Sequence, residues 1–393
     1  MTTVPTTQQQ RSVPKPVFTD AEAGAKEFPD SNVRHFNYFI PQKRKPSHYE
    51  DVTVEVQPDP LHYLSQGWLY GFANGVGGYP LEWTKLKAWG QDRPIPHRGP
   101  GSGGAGYPWP AHGWHEFRDP NEEWELTLYR YNANVVRQLN QNVDAARESK
   151  AFEQWNRNWV RFVERNVGAW MHVNHGLGLY LFANANRRGP TNMHNTAISV
   201  NSMHLIRAAQ DLALYNLTLS EEIEGFDGSA HIATWNEDPA WQGVREVSEE
   251  LTSIDDWAEA VFAANVVFQP LVGELFRSSL LQQAAPANGD FVTPTLIGAE
   301  EYDYAQRDLR YTRVLYEPLV SDREFAEHNK KIMTEWLTRY VPRAISAART
   351  LQPLWSQPEA KPMRFEDGLD RAKSRFSGIL SDLGLQEPKE LAQ

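Results

Sequence analysis

The chain has 393 residues, enough for two ordinary domains or for one large helical body with an extended arm. A formal net charge of −11 argues against a binder of nucleic acid or of anionic membranes, and the absence of cysteine excludes disulfides, zinc ribbons, thiolate catalysis and iron–sulfur ligation. The opening residues carry no basic stretch followed by an apolar one, and the nearest thing to a membrane span, 258–276, is interrupted by Asn265, Gln269, Pro270 and Glu274, so a soluble cytoplasmic protein is expected.

Residues 1–118 read as an extended, mainly irregular N-terminal arm. Proline and glycine punctuate it throughout, most densely from Gly99 to Gly106, yet it is rich in aromatics of a kind that disordered tails lack. An arm over 30–80 ordered against another subunit reconciles the two facts. Tyr63, Trp68 and Tyr70 are the expected anchors of that partner interface, because buried aromatics concentrate binding energy.

A helical domain is expected over 119–355. Asp119-Pro120 reads as an N-cap with a proline in the first turn, and Trp124, Leu128, Tyr131, Val135, Leu139 and Val143 make the first stripe. A second helix carries Trp155, Trp159, Phe162, Val163, Val167, Trp170, Val173, Leu177 and Leu181. A third, after Gly189-Pro190, carries Ile198, Asn201, Leu205, Ala208, Leu212 and Leu219. Beyond a polar loop at Glu237-Asp-Pro239, Ser253-x-x-Asp256 reads as the N-cap of an apolar helix kinked at Pro270. Another helix is expected near 300–315, and Ser321-x-x-Glu324 reads as a capping box for a long one ending near Leu351. The tail, 356–393, turns charged, with a short amphipathic helix possible over Leu369, Ala372, Phe376, Ile379, Leu380 and Leu383.

The second and third helices have the length and stripe of di-iron bundle helices. Such a centre takes a Glu from each of two helices and a Glu-x-x-His from each of two others. None of the twelve histidines has a glutamate three positions before it, and Asn201-Ser-Met-His204 stands where such a motif would fall. One imidazole beside an amide lacks the carboxylates that bind and bridge iron, so a core histidine is the favoured reading of His204. Glu164, His172 and His175 project from the back of their helix beside Arg157 and Arg161, which suits a solvated or intersubunit polar face better than a metal site. His112-Gly-Trp-His115-Glu116 precedes the helical region and lacks the two-turn helix of a zinc motif. Gly99–Gly106 is followed by no Gly-Lys-Ser/Thr, so phosphate binding is not expected there. No catalytic, cofactor-binding or metal-binding residue is therefore assigned to this chain. A self-sufficient ferritin-like metalloenzyme with atypical ligands, or a helical binding or regulatory protein, are the competing classes.

The segments Pro46-Ser-His-Tyr-Glu-Asp-Val-Thr53 and His62-Tyr-Leu-Ser-Gln-Gly-Trp68 resemble the opening of the small (beta) hydroxylase subunit of bacterial multicomponent di-iron monooxygenases. Trp124-Glu-Leu, Tyr131-Asn-Ala-Asn134 and the helices around 155–180 and 194–215 extend the resemblance to about residue 355. Within that family the chain looks most like the actinobacterial propane 2-monooxygenase group. The resemblance implies an all-α, ferritin-like bundle and an alpha2beta2 hydroxylase with di-iron only in the alpha subunit. It also implies a coupling protein and an NADH-dependent reductase carrying flavin and an iron–sulfur cluster.

Overall fold

The computed structural model describes residues 47–50, 81, 117–189 and 192–392, and among these it is helical with no strand. Helix α1 spans Glu125–Glu148. Helix α2 runs over 157–185, with ordinary turns at Arg157–Phe162, Gly168–His175 and Ala183–Ala185 and wider i→i+5 turns at Val163–Val167 and Gly176–Phe182. Helix α3 is Asn192–Glu222, α4 Ala230–Glu237 and α5 Pro239–Leu251. Helix α6 is Trp257–Ala287. Helix α7 covers 293–320, widening at Asp303–Asp308. Helices α8, Ala326–Thr350, and α9, Phe365–Asp382, complete the body.

Helix α6 is the axis of the molecule. Every residue of Phe262–Leu281 is buried, because α7, α8 and α9 pack around it and Trp170 of α2 stacks against its Phe268 and Phe276. This segment is long and apolar enough to cross a membrane, and 94% of its apolar window is covered by the rest of the protein. Pro270 lies within it without ending the helix, because the i→i+5 turns redistribute the hydrogen bonds around the missing N–H. Helices α2, α3, α6 and α7 enclose a common interior, α3 running antiparallel to both α2 and α7. Side-chain bonds show the direction: Asn201 meets Tyr311, His204 meets Asp308, and Arg207 meets Asp303.

The first-helix stripe buries Leu128, Val135 and Leu139, with Trp124, Tyr131 and Val143 partly buried beside them. Several helix starts differ from expectation by a few residues. Asp119 closes a turn instead of capping α1, accepting from the backbone N–H of Asn121 at 2.9 Å, and α1 opens at Glu125 with the Trp124 N–H on the Thr127 hydroxyl at 2.9 Å. Asp256, rather than Ser253, caps α6 by accepting from Glu259 N–H at 2.7 Å. Asp322, rather than Ser321, holds the turn before α8 through the N–H groups of Glu324 and Phe325, both at 2.9 Å. In the last two cases a carboxylate nearby outcompetes the hydroxyl for the free N–H groups, since a charge-assisted bond is the stronger one. Asp238-Pro239, read as loop, is the cap and first residue of α5. The C-terminal stripe is an 18-residue helix whose Leu369, Ala372, Phe376, Ile379 and Leu380 are buried against α6.

Candidate functional site

The interior shared by α2, α3, α6 and α7 is where a bundle of this kind would hold a metal centre, and it contains two distinct polar layers. The first is neutral. Asn265 of α6 donates to the Asn201 side-chain oxygen at 2.7 Å and to the Thr312 hydroxyl at 3.0 Å, and the Tyr311 hydroxyl donates to the same Asn201 oxygen at 2.8 Å. Burial pushes the Tyr311 hydroxyl well above its ordinary pKa, so it stays a donor. Tyr304 donates to the Asn265 carbonyl at 2.9 Å and pins the widened turn of α6 in place.

The second layer is ionic and centres on Arg277, which is fully buried. Its guanidinium donates to Gln269 at 2.6 Å, to Glu300 at 3.1 Å and to Glu301 at 2.9 Å. Trp170 donates to Glu300 at 2.8 Å, and the Arg277 guanidinium lies 5.5 Å from the Trp170 ring centre. From α9, Arg375 bonds to Glu274 and, at 2.5 Å, to Glu301, while Arg371 reaches Glu274 at 3.3 Å. Burial works against the charge on Arg277, but Glu300 and Glu301 outweigh it and its pKa is raised. Gly273 makes room for this arrangement: a Cβ there would stand 2.6 Å from the Gln269 oxygen and 2.7 Å from Arg277.

Between and beside these layers lies His204, whose Nδ1 is 2.8 Å from Asp308 and whose Nε2 is 3.8 Å from Glu123. Burial opposes charge on the imidazole, but the Asp308 carboxylate overcomes it and raises the His204 pKa; burial likewise raises Asp308, to about 6. Arg207 bridges Asp211 and Asp303, the latter at 2.5 Å, and Arg307 pairs with Glu123 while lying 4.1 Å from the Tyr131 ring centre.

This set of groups does not fit a di-iron centre. The α3 motif offers an amide in place of the glutamate, and Glu300 and Glu301 are followed three positions later by Asp303 and Tyr304 instead of histidine. Guanidinium groups already hold the three carboxylates of the ionic layer, Glu274, Glu300 and Glu301. Among the described residues no group of three or more His, Asp or Glu side chains could hold a metal ion.

The polar face of α2 is not solvated throughout. His172 lies under α4, its Nε2 3.0 Å from Nδ1 of His231 and its ring stacked on Trp235, and burial together with His231 lowers its pKa to about 4. Glu164 accepts from the Asp227 N–H at 2.5 Å, whereas His175 is exposed beside Tyr180. Tyr63, Trp68, Tyr70, His112, His115, Glu116 and Gly99–Gly106 lie outside the described residues. Arg277 and its partners were missed by periodicity. A signal was present: an arginine and a glutamate inside an otherwise uncharged 20-residue run must be paired if that run is buried.

The fold and the interior together define an all-helical bundle whose shared interior is filled by hydrogen-bonded amides and paired charges. Residues 103–322 match the methane/phenol/alkene hydroxylase family, and the chain belongs to that family. It is similar to the hydroxylase small subunit of propane 2-monooxygenase from Mycolicibacterium smegmatis, with 50% identity over 98% of this chain and 99% of that protein. Similarity to the methane monooxygenase component A beta chain of Methylococcus capsulatus is more distant, 23% over 84% of this chain and 81% of the other. In fold it is like a chain of toluene 4-monooxygenase, with a TM-score of 0.58 and 22% identity over 64% of this chain and 81% of that one.

Proposed function

We propose that this chain is the non-catalytic small subunit of the hydroxylase of an NADH- and O₂-dependent di-iron monooxygenase acting on small hydrocarbons, with propane to 2-propanol the first reaction to test. The observation that carries the reading is the interior of the bundle. Arginines and amides from this chain satisfy the groups that ligands would need, while the relatives at about half identity are named as small subunits of propane 2-monooxygenase. Iron then resides in the large subunit of an alpha2beta2 hydroxylase, and electrons come from a flavin and iron–sulfur reductase through a coupling protein, in the cytoplasm. The small subunit acts indirectly: a packed body with α6 buried along its length holds the neighbouring subunit's helices in register, because the residues around a metal are positioned by the shell behind them.

The test is metal analysis of the chain purified alone and co-purified with the large subunit, with NADH-coupled propane oxidation of the reconstituted system. The chain alone should hold no stoichiometric iron, and the complex should hold iron and oxidise propane. One or two tightly bound irons in the isolated chain would overturn the reading.

A further inference from the structure

Helix α3 has two apolar stripes on opposite sides. Ile198, Leu205, Ala208, Leu212 and Leu219 face the interior, while Met203, Ile206, Leu214 and Leu217, with Gln210 midway between the two pairs, line the face about half a turn away. A helix apolar on both sides needs cover on both. Helix α1 lies over the outer stripe but does not close on it. A groove of about 960 Å³ runs between the two helices, lined by Ala133, Val136, Arg137, Met203, Ile206 and Gln210. A hollow of about 330 Å³ adjoins it at Leu128, Tyr129 and Met203, and another of about 340 Å³ at Val136, Asn140 and Asp144, so one seam follows α1 along most of its length. Leu214 and Leu217 are each 61% exposed, Tyr129 53% and Met203 42%. On α2, Leu179 and Tyr180 are exposed in the turn after Gly178, whose Cβ position is 3.0 Å from Ile206 of α3.

From Met203 to Leu217 the only charged residues on α3, Arg207 and Asp211, neutralise each other, in a chain of net charge −11. Further charges lie in and beside the groove, on Arg137 and Asp144 in its lining, on Arg130 and on the Arg147–Glu222 pair. Exposed apolar side chains interspersed with amides and charges suit a protein interface, which taken whole is about as polar as the rest of a protein surface. Fourteen residues of helix rise about 21 Å, and three helices about 9 Å apart give a face on the order of 600 Å², close to the roughly 800 Å² per partner of a stable complex.

We propose that this α1–α3 seam is the surface on which the hydroxylase large subunit docks, laying an apolar helix into the groove. The proposal rests on the small-subunit reading above, which supplies a larger partner for a face of this size. The experiment co-expresses the full chain with its large subunit and measures the dissociation constant of the purified complex, its stoichiometry by light scattering, and the melting temperature of each small-subunit variant alone. Leu214→Glu/Leu217→Glu should weaken the complex at least about 100-fold while leaving the chain's own melting unchanged, because both side chains are exposed. Met203→Gln is the milder second variant, expected to weaken it about tenfold. Thr334→Glu/Thr338→Glu on the outer side of α8 places the same charge elsewhere and should leave affinity unchanged.

Unchanged affinity of both seam variants in a complex that forms normally would overturn the docking surface and leave the small-subunit reading standing. A wild-type chain that forms no complex would overturn both. A homodimer of the chain alone that the seam variants abolish would overturn the proposal by assigning the seam to a second copy.

Discussion

The two polar layers in the bundle interior share α6 and α7 and solve burial differently. Asn201, Asn265, Tyr311 and Thr312 form a neutral set, each member contributing an ordinary hydrogen bond. Arg277, Glu300, Glu301, Glu274 and Arg375 form an ionic set tying α6, α7 and α9 together. A neutral set can lose members in pairs at little cost, whereas an ionic set cannot lose one member without stranding a buried charge. The difference teaches where the fold has a choice and where it has none.

The largest expected effect comes from breaking the ionic layer on one side. Arg277→Met leaves Glu300 and Glu301 without their shared cation and should cost about 3–5 kcal/mol, measured by urea unfolding. Combining it with Glu300→Gln and Glu301→Gln should recover most of that loss. If Arg277→Met alone costs under about 1 kcal/mol, the ionic layer is not the restraint described here.

The neutral layer should respond less. Asn265→Ala removes donors to Asn201 and Thr312 and should cost about 1–3 kcal/mol. The paired swap Asn201→Leu/Asn265→Leu should be less damaging than the sum of the single changes, as a double-mutant cycle would read. Additive costs would erase the contrast between the layers.

The smallest effect, and the sharpest on charge, is in pH. Burial raises Asp211, beside Arg207, to about 6. The folded state therefore holds that proton more tightly than the unfolded chain. Its contribution is present in full below the ordinary carboxylate range and is lost as pH rises through about 6. Against Asp211→Asn, the wild type should lose about 1–2 kcal/mol of relative stability between pH 4 and 6, followed by urea midpoints across that range. The Asn265 variant should show no such slope. A wild type that instead gains relative stability over this window would contradict the burial argument for Asp211.

Much of the bundle is legible in the sequence. The stripes of Trp155 to Leu181 and of Ile198 to Leu219 are buried as their period requires, since a helix facing a core must repeat its apolar residues at its own turn. Helix starts were less legible. Asp256 and Asp322 displaced the serines beside and near them because capping depends on which side chain reaches the free N–H groups. His204 could be read as a core residue, but its partner Asp308, 104 positions away, could not be named.

By itself the sequence determined an all-helical chain whose histidines lack the glutamates that iron requires, because both properties are written in spacings of three and four residues. The tertiary structure alone decided that Arg277 meets Glu300 and Glu301, that Arg375 returns from 101 positions away to Glu274, and that among the described residues the outer stripe of α3 is left open beside α1. Periodicity tells which face of a helix must be buried. Which face meets which, and which charges then share the dry interior, depends on how the helices pack across long stretches of chain, and no local pattern encodes that.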